Sequence, residues 1–129
     1  MSEPELGLYV HLPFCPARCP YCDFFAQPYA AGLARLLLPA LLNHLRLIAP
    51  QAQGRRLATV YLGGGTPSLW PVAAIARLLR AMEQEIGILP GSEITLEANP
   101  GTLSARKLAG LREAGVNRLS LGAQSFDPA

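Results

Sequence analysis

The sequence predicts an α/β fold built on a parallel sheet. Two observations predict it: short β-rich runs alternate with longer segments of helical periodicity, and the glycine and polar clusters fall just after the strand runs. Regular alternation in the order β-α-β-α-β-α-β implies right-handed crossovers, in either an open doubly wound sheet or a segment of a barrel. In both architectures chemistry collects at the C-terminal ends of the strands.

Each element has its own signal. "GLYVHL" at 7–12 is the first strand, and after a cysteine-containing loop a helix follows from about Ala31 to Ile48. Its most apolar stretch, "LLLPALLNHL" at 36–45, carries Pro39, Asn43 and His44 and lies between Arg35 and Arg46. A membrane span needs about twenty apolar residues, so this is expected to be a buried helix, with His44 an ordinary helix residue. "LATVYL" at 57–62 is the second strand, and "GGGTPSLW" leads to a helix at about 71–86. There Val72, Ile75, Leu78, Leu79 and Met82 form one apolar face, Pro71 suits the first turn and Gly87 the end. "EITLEA" at 93–98 is the third strand, and a helix at about 105–114 follows with Ser104 as N-cap and Gly115 past its C-terminus. "RLSLGA" at 118–123 is the fourth strand.

Composition bounds the function. At 129 residues, half of them apolar, the chain is of one-domain length with enough material for a sizeable core. Eleven basic and nine acidic residues give a net charge of +2. The basic residues are scattered, so neither nucleic acid nor an anionic membrane is indicated as a partner. "MSEPELG" has no basic or apolar signal region, so no export is implied. Three cysteines cannot all pair within one chain, and a reduced, cytoplasmic setting is expected.

All three cysteines, Cys15, Cys19 and Cys22, lie in "HLPFCPARCPYCDFF" as C-x3-C-x2-C. Pro13, Pro16 and Pro20 stiffen this loop, and a loop lets three sulfurs converge on one inorganic centre. Structural zinc takes four ligands, and His11 could nominally complete a set, but it lies in the strand four residues before Cys15. Three cysteines on a [4Fe–4S] cluster instead leave one iron open to a ligand. An incidental zinc knuckle, or merely buried thiols, is the plain alternative. Gly63–Gly65 read equally as a tight strand-to-helix turn, Glu97 as a strand-end charge and Gln124 as a turn residue. Asn99 and Asp127 are expected to form loops, and Trp70 and Phe126 to lie in the core.

Four segments in order, "YVHLPFCPARCPYCDF", "VYLGGGTPSLW", "LEANPGTL" and "GVNRLSLGAQSFD", resemble the oxygen-independent coproporphyrinogen III oxidase family of the radical S-adenosylmethionine (SAM) superfamily, which includes a heme-chaperone branch. The resemblance spans residues 7–128. It implies a partial (β/α)6 barrel with further C-terminal elements, of which residues 1–129 would be the N-terminal portion, truncated after the fourth strand. It implies that Cys15, Cys19 and Cys22 hold a [4Fe–4S] cluster whose open iron chelates the amino and carboxylate groups of SAM. Tyr9, Tyr21, Glu97 and Gln124 match SAM-contacting positions. Gly64, Gly65 and Thr66 match the segment that binds the methionine part through backbone groups, where a Cβ would block close approach.

Two functions share that site in the family. One is oxidative decarboxylation of coproporphyrinogen III. The other is binding of heme and its delivery to hemoprotein clients. An electron donor is an expected partner, besides heme or a porphyrinogen. The decarboxylating branch typically carries a further cysteine two residues after the third. This sequence has Cys22, Asp23 and Phe24 there, which favours the chaperone; an inactive remnant is the third reading.

Overall fold

The computed structural model describes residues 5–15, 27–28 and 31–122. Its elements are β1 (Leu6–Leu12), β2 (Phe14–Cys15), β3 (Gln27–Pro28), α1 (Ala31–Ile48), β4 (Leu57–Gly64), α2 (Val72–Glu85), β5 (Ile88–Ala98), α3 (Ala105–Ala114) and β6 (Arg118–Leu121). Short 3₁₀ turns at Ala49–Ala52, Pro67–Leu69 and Pro100–Thr102 precede β4, α2 and α3. The expected α/β alternation is therefore present.

Four strands form one parallel sheet in the order β1-β4-β5-β6, with Tyr9 level with Tyr61, Tyr61 with Thr95, and Thr95 with Arg118. The order runs monotonically along the chain, so there is no switch point of the kind a doubly wound sheet needs. Side-chain alternation gives the two faces different characters. Leu12, Val60, Leu62, Ile94 and Leu96 are buried in a core that also takes Leu45 of α1, Ile75, Leu78, Leu79 and Met82 of α2 and Leu111 of α3. The other face carries Tyr9, His11, Tyr61, Thr95, Glu97 and Ser120, alternating with those apolar positions. Helices on one face and polar side chains on the other is the arrangement of a barrel segment, which settles the choice left open by the sequence.

Local chemistry fixes the helix ends. The Ser104 side chain accepts from the Lys107 amide at 3.0 Å, and at the far end Val116 N–H reaches Leu111 O at 3.0 Å while Gly115 adopts φ +121°. Gly87, at φ +101°, closes α2 by donating to Met82 O at 2.9 Å. Both glycine stops and the Ser104 cap match expectation, and Trp70 is buried as expected.

Two expectations need correction. Helix α1 is not buried over its described side chains, residues 36–48: Leu45 is buried, Leu37, Leu38, Leu41 and Leu42 are partly covered, and Leu36 and Leu47 are 72% and 69% exposed. It packs over the β1 end of the sheet, where one face of a helix suffices as cover. Strand β5 begins at Ile88, five residues before Glu93. Ile88 pairs with Leu57, the register then shifts before Glu93 pairs with Thr59, and buried Ser92 donates to Leu57 O at 2.8 Å across that irregularity. Pro90 and Gly91 lie within the irregular part, and their turn chemistry masks the strand in the sequence. Among the described residues no helix is long and apolar enough to cross a membrane.

Candidate functional site

The site is built at the C-terminal ends of β1, β4 and β5. Strand β1 ends at Leu12, and after Pro13 the short β2 pairs in parallel with β3, Phe14 with Gln27 and Cys15 with Pro28. This two-residue ladder joins the two ends of the cysteine segment. It also lies against the Pro67–Leu69 turn, so the backbone at Cys15 adjoins the residues that follow "GGG". Cys19, Cys22, Tyr21 and Gln124 lie outside the described residues, as do Phe24, Phe126 and Asp127.

Glu97 ties the glycine segment to the sheet. Its Oε1 accepts the Gly64 amide at 2.9 Å and its Oε2 accepts the Tyr61 hydroxyl at 2.8 Å. Tyr61 stacks on Tyr9, with ring centroids 5.8 Å apart and planes at 18°. The Tyr9 hydroxyl and His11 Nδ1 share a hydrogen bond at 3.1 Å, although Tyr9 is 56% exposed. The Glu97 hydrogen bond, then burial, raises the Tyr61 phenol above its ordinary 10.0; burial, then the Glu97 charge, raises that of Tyr9.

The glycines have a reason internal to the chain. A Cβ at Gly63 would sit 2.8 Å from Glu97 Oε1, 2.9 Å from Tyr61 Cε1 and 3.0 Å from Tyr9 Cε2. At Gly64, where φ is +120°, it would meet the Leu12 carbonyl oxygen at 2.6 Å. Gly65 N–H donates to that same carbonyl at 2.9 Å. The amides of Gly64 and Gly65 are thus spent within the fold. Thr66 is buried, and its carbonyl accepts Leu69 N–H at 2.9 Å to start the 3₁₀ turn.

Beneath this edge a second network holds the loops after β4 and β5 together. Buried Ser68 hydrogen-bonds Thr102 through the two hydroxyls and accepts the Asn99 amide at 3.3 Å, while Thr102 donates to Asn99 O at 2.6 Å. The Lys107 ammonium donates to the Ser68 carbonyl, and burial pushes its pKa down. Asn99 also accepts the Gly101 amide at 3.0 Å, the loop-forming role expected of it. His11 and His44 both line a largely apolar cavity of about 280 Å³ between β1 and α1, which Tyr9 also borders.

The structure therefore brings Tyr9, Gly64 and Glu97 together, with Gly65 and Thr66 continuing from them. The sequence reading missed Tyr61 and the Ser68–Lys107 contact, and named Gly63 only as part of the glycine turn. Tyr61 carried one available signal, being two residues before Gly63 and so on the same face of the strand.

The radical SAM superfamily model matches residues 9–129 of the chain. The chain is 40% identical to the heme chaperone HemW of Haemophilus influenzae over 129 residues, covering 96% of this chain and 34% of that protein. It is 42% identical to HemW of Escherichia coli K12, covering 95% of this chain and 33% of the relative. It is also 40% identical to the oxygen-independent coproporphyrinogen III oxidase of Bradyrhizobium diazoefficiens, covering 99% and 30%. Among solved structures, coproporphyrinogen III oxidase (HemN) from Escherichia coli, described as a radical SAM enzyme, superposes with a TM-score of 0.90 at 34% identity, covering 97% of this chain and 29% of that one. The chain thus spans about a third of the length of the relatives it matches.

Proposed function

The chain belongs to the radical SAM superfamily, and from that premise we propose that its strand ends hold a [4Fe–4S] cluster and SAM in a heme chaperone of the coproporphyrinogen III oxidase-like group. The observation that carries this reading is the placement of the base of the C-x3-C-x2-C loop against the turn that follows the Glu97-tied glycines.

The donor set fits. Cys15, Cys19 and Cys22 would hold the cluster as thiolates. SAM presents an ammonium and hydroxyl groups, all hydrogen-bond donors, and the site presents acceptors to match. With the Gly64 and Gly65 amides already engaged, the Glu97 carboxylate is the charged acceptor this edge has to offer. Tyr9, Tyr21, Thr66 and Gln124 complete the proposed SAM set. Bound together, and given an electron from an external donor, the cluster and SAM would supply radical chemistry by reduction of the sulfonium. The chain's own contribution is to fix Glu97 and the glycine backbone before the ligand arrives, so that little ordering is needed on binding.

Heme is the proposed cargo, a hemoprotein its client, and an electron donor a further partner. Phe24 supports the chaperone over the oxidase: it offers no thiol beside the cluster to act as a ligand, redox group or proton carrier. Oxidative decarboxylation of coproporphyrinogen III is the second reading, favoured by the TM-score of 0.90 to HemN.

The test uses a full-length protein carrying this region, reconstituted anaerobically with iron and sulfide. About four irons and four sulfides per chain are expected, and loss of stable incorporation when any one of the three cysteines is replaced. Zinc at about one per chain with no cluster obtainable would overturn the site. Heme titration, transfer to an apo-hemoprotein and product analysis for protoporphyrinogen IX then separate the two functions. Turnover without heme binding selects the oxidase.

A further inference from the structure

We propose that Tyr61 is a positioning residue for SAM, acting through Glu97 to set the plane of its carboxylate. This rests on the SAM reading above and deepens it. Tyr61 pairs with Thr95, and Glu97 lies two residues further along β5 on the same face. The phenol therefore reaches diagonally across the ladder, and meets Oε2 at 2.8 Å.

One anchor does not orient a glutamate. The terminal torsion of Glu is broad, so a carboxylate held only by the Gly64 amide on Oε1 could swivel about that contact. A second donor on the other oxygen removes that freedom. Each carboxylate oxygen has about two acceptor positions, so one on each remains for a ligand's donors. The phenol is itself held in place. It stacks on Tyr9, and its Cε1 occupies the space a Cβ at Gly63 would need, 2.9 Å away. The raised Tyr61 phenol agrees with a proton retained in the bond to Glu97.

The experiment measures SAM affinity by equilibrium dialysis on the cluster-reconstituted, full-length protein and its Y61F, E97Q and Y61F/E97Q variants. Phenylalanine keeps the ring and its stack, so iron content and the denaturation midpoint serve as controls for the fold. Y61F should weaken SAM about tenfold, the size of one charge-assisted hydrogen bond, and should add little once Glu97 is replaced. A Y61F affinity equal to the parent, or an equal loss in both backgrounds, overturns the inference. A second readout needs no change at Tyr61. Ultraviolet titration of the cluster-free protein should show two phenols, Tyr61 and Tyr9, ionising above the ordinary range, and E97Q should bring both down, most of all the one that Glu97 hydrogen-bonds; an unchanged titration overturns the inference. A parent that takes up its cluster but binds no SAM overturns the underlying site reading instead.

Discussion

Gly64 donates its amide to Glu97 Oε1 at 2.9 Å, although the two residues are thirty-three positions apart. The glycine that ends β4 and the carboxylate near the end of β5 are therefore one structural unit. Neither can be altered without moving the other.

Gly64→Ala tests that unit. Two costs coincide there: a positive φ of +120° and a Cβ placed 2.6 Å from a backbone oxygen. Gly54, at φ +81°, has nothing within 4 Å of the same Cβ. Gly54→Ala should cost about 1–2 kcal/mol from backbone strain alone. Gly64→Ala should cost more, on the order of 3 kcal/mol or above, and lower SAM affinity as well. Urea denaturation midpoints on the two variants decide it; equal losses would show that the Leu12 contact is not limiting.

Ser68→Ala should loosen the same edge from below. The hydroxyl is buried and engages both Thr102 and the Asn99 amide, so its removal leaves polar groups unpaired at a cost of about 1–3 kcal/mol. Amide hydrogen exchange at Asn99 should accelerate in parallel. Unchanged protection there would mean that other contacts hold the two loops together.

Asn117→Ala should fray the β5–β6 pair. The side-chain carbonyl accepts Ile94 N–H and the side-chain amide donates to Ser92 O, both at 2.8 Å, so one residue extends the ladder beyond the start of β6. Two lost hydrogen bonds amount to about 1–3 kcal/mol. Asn117→Asp keeps the acceptor and loses the donor, and should fall between the parent and alanine in thermal denaturation.

The Tyr61 phenol gives a pH dependence of known sign. Its folded pKa lies above the ordinary 10.0, so the neutral form is favoured in the fold. The associated stability is fully present below pH 10 and is lost as pH rises through the elevated folded value. Melting temperature in the parent should therefore fall more steeply than in Y61F across that alkaline range. Parallel curves would remove Tyr61 from the account of alkaline unfolding.

Local features of this fold were legible in the sequence. Ser104, Gly115 and Gly87 act through hydrogen bonds within a few residues of themselves, so residue type and spacing reveal them. The order of strands and helices follows from apolar periodicity in the same way. Tyr61 with Glu97 was not legible, because the pair depends on the register between two strands. The convergence on Gly63 was hidden for the same reason, since three separate residues must meet there. Helix α1 shows a different limit: periodicity marks an apolar face but does not say how much lies over it. Only the folded chain reveals that Leu36 and Leu47 face outward.

The short β2–β3 ladder also has a thermodynamic meaning. Strands paired in a sheet lie about 4.8 Å apart, so pairing Phe14 with Gln27 and Cys15 with Pro28 brings together two short backbone stretches that are separated in sequence by residues 16–26. Closing a ring of n residues costs chain entropy that grows as about (3/2)RT ln n, and here the backbone ladder meets that cost before any ion is bound. Cys15, Cys19 and Cys22 all fall between Phe14 and Gln27 in the sequence, so under the cluster reading their thiolates would meet at an effective concentration set by the length of that segment rather than by protein concentration. Under the proposed cluster reading, assembly of the inorganic centre would thereby be an intramolecular event, independent of how dilute the protein is.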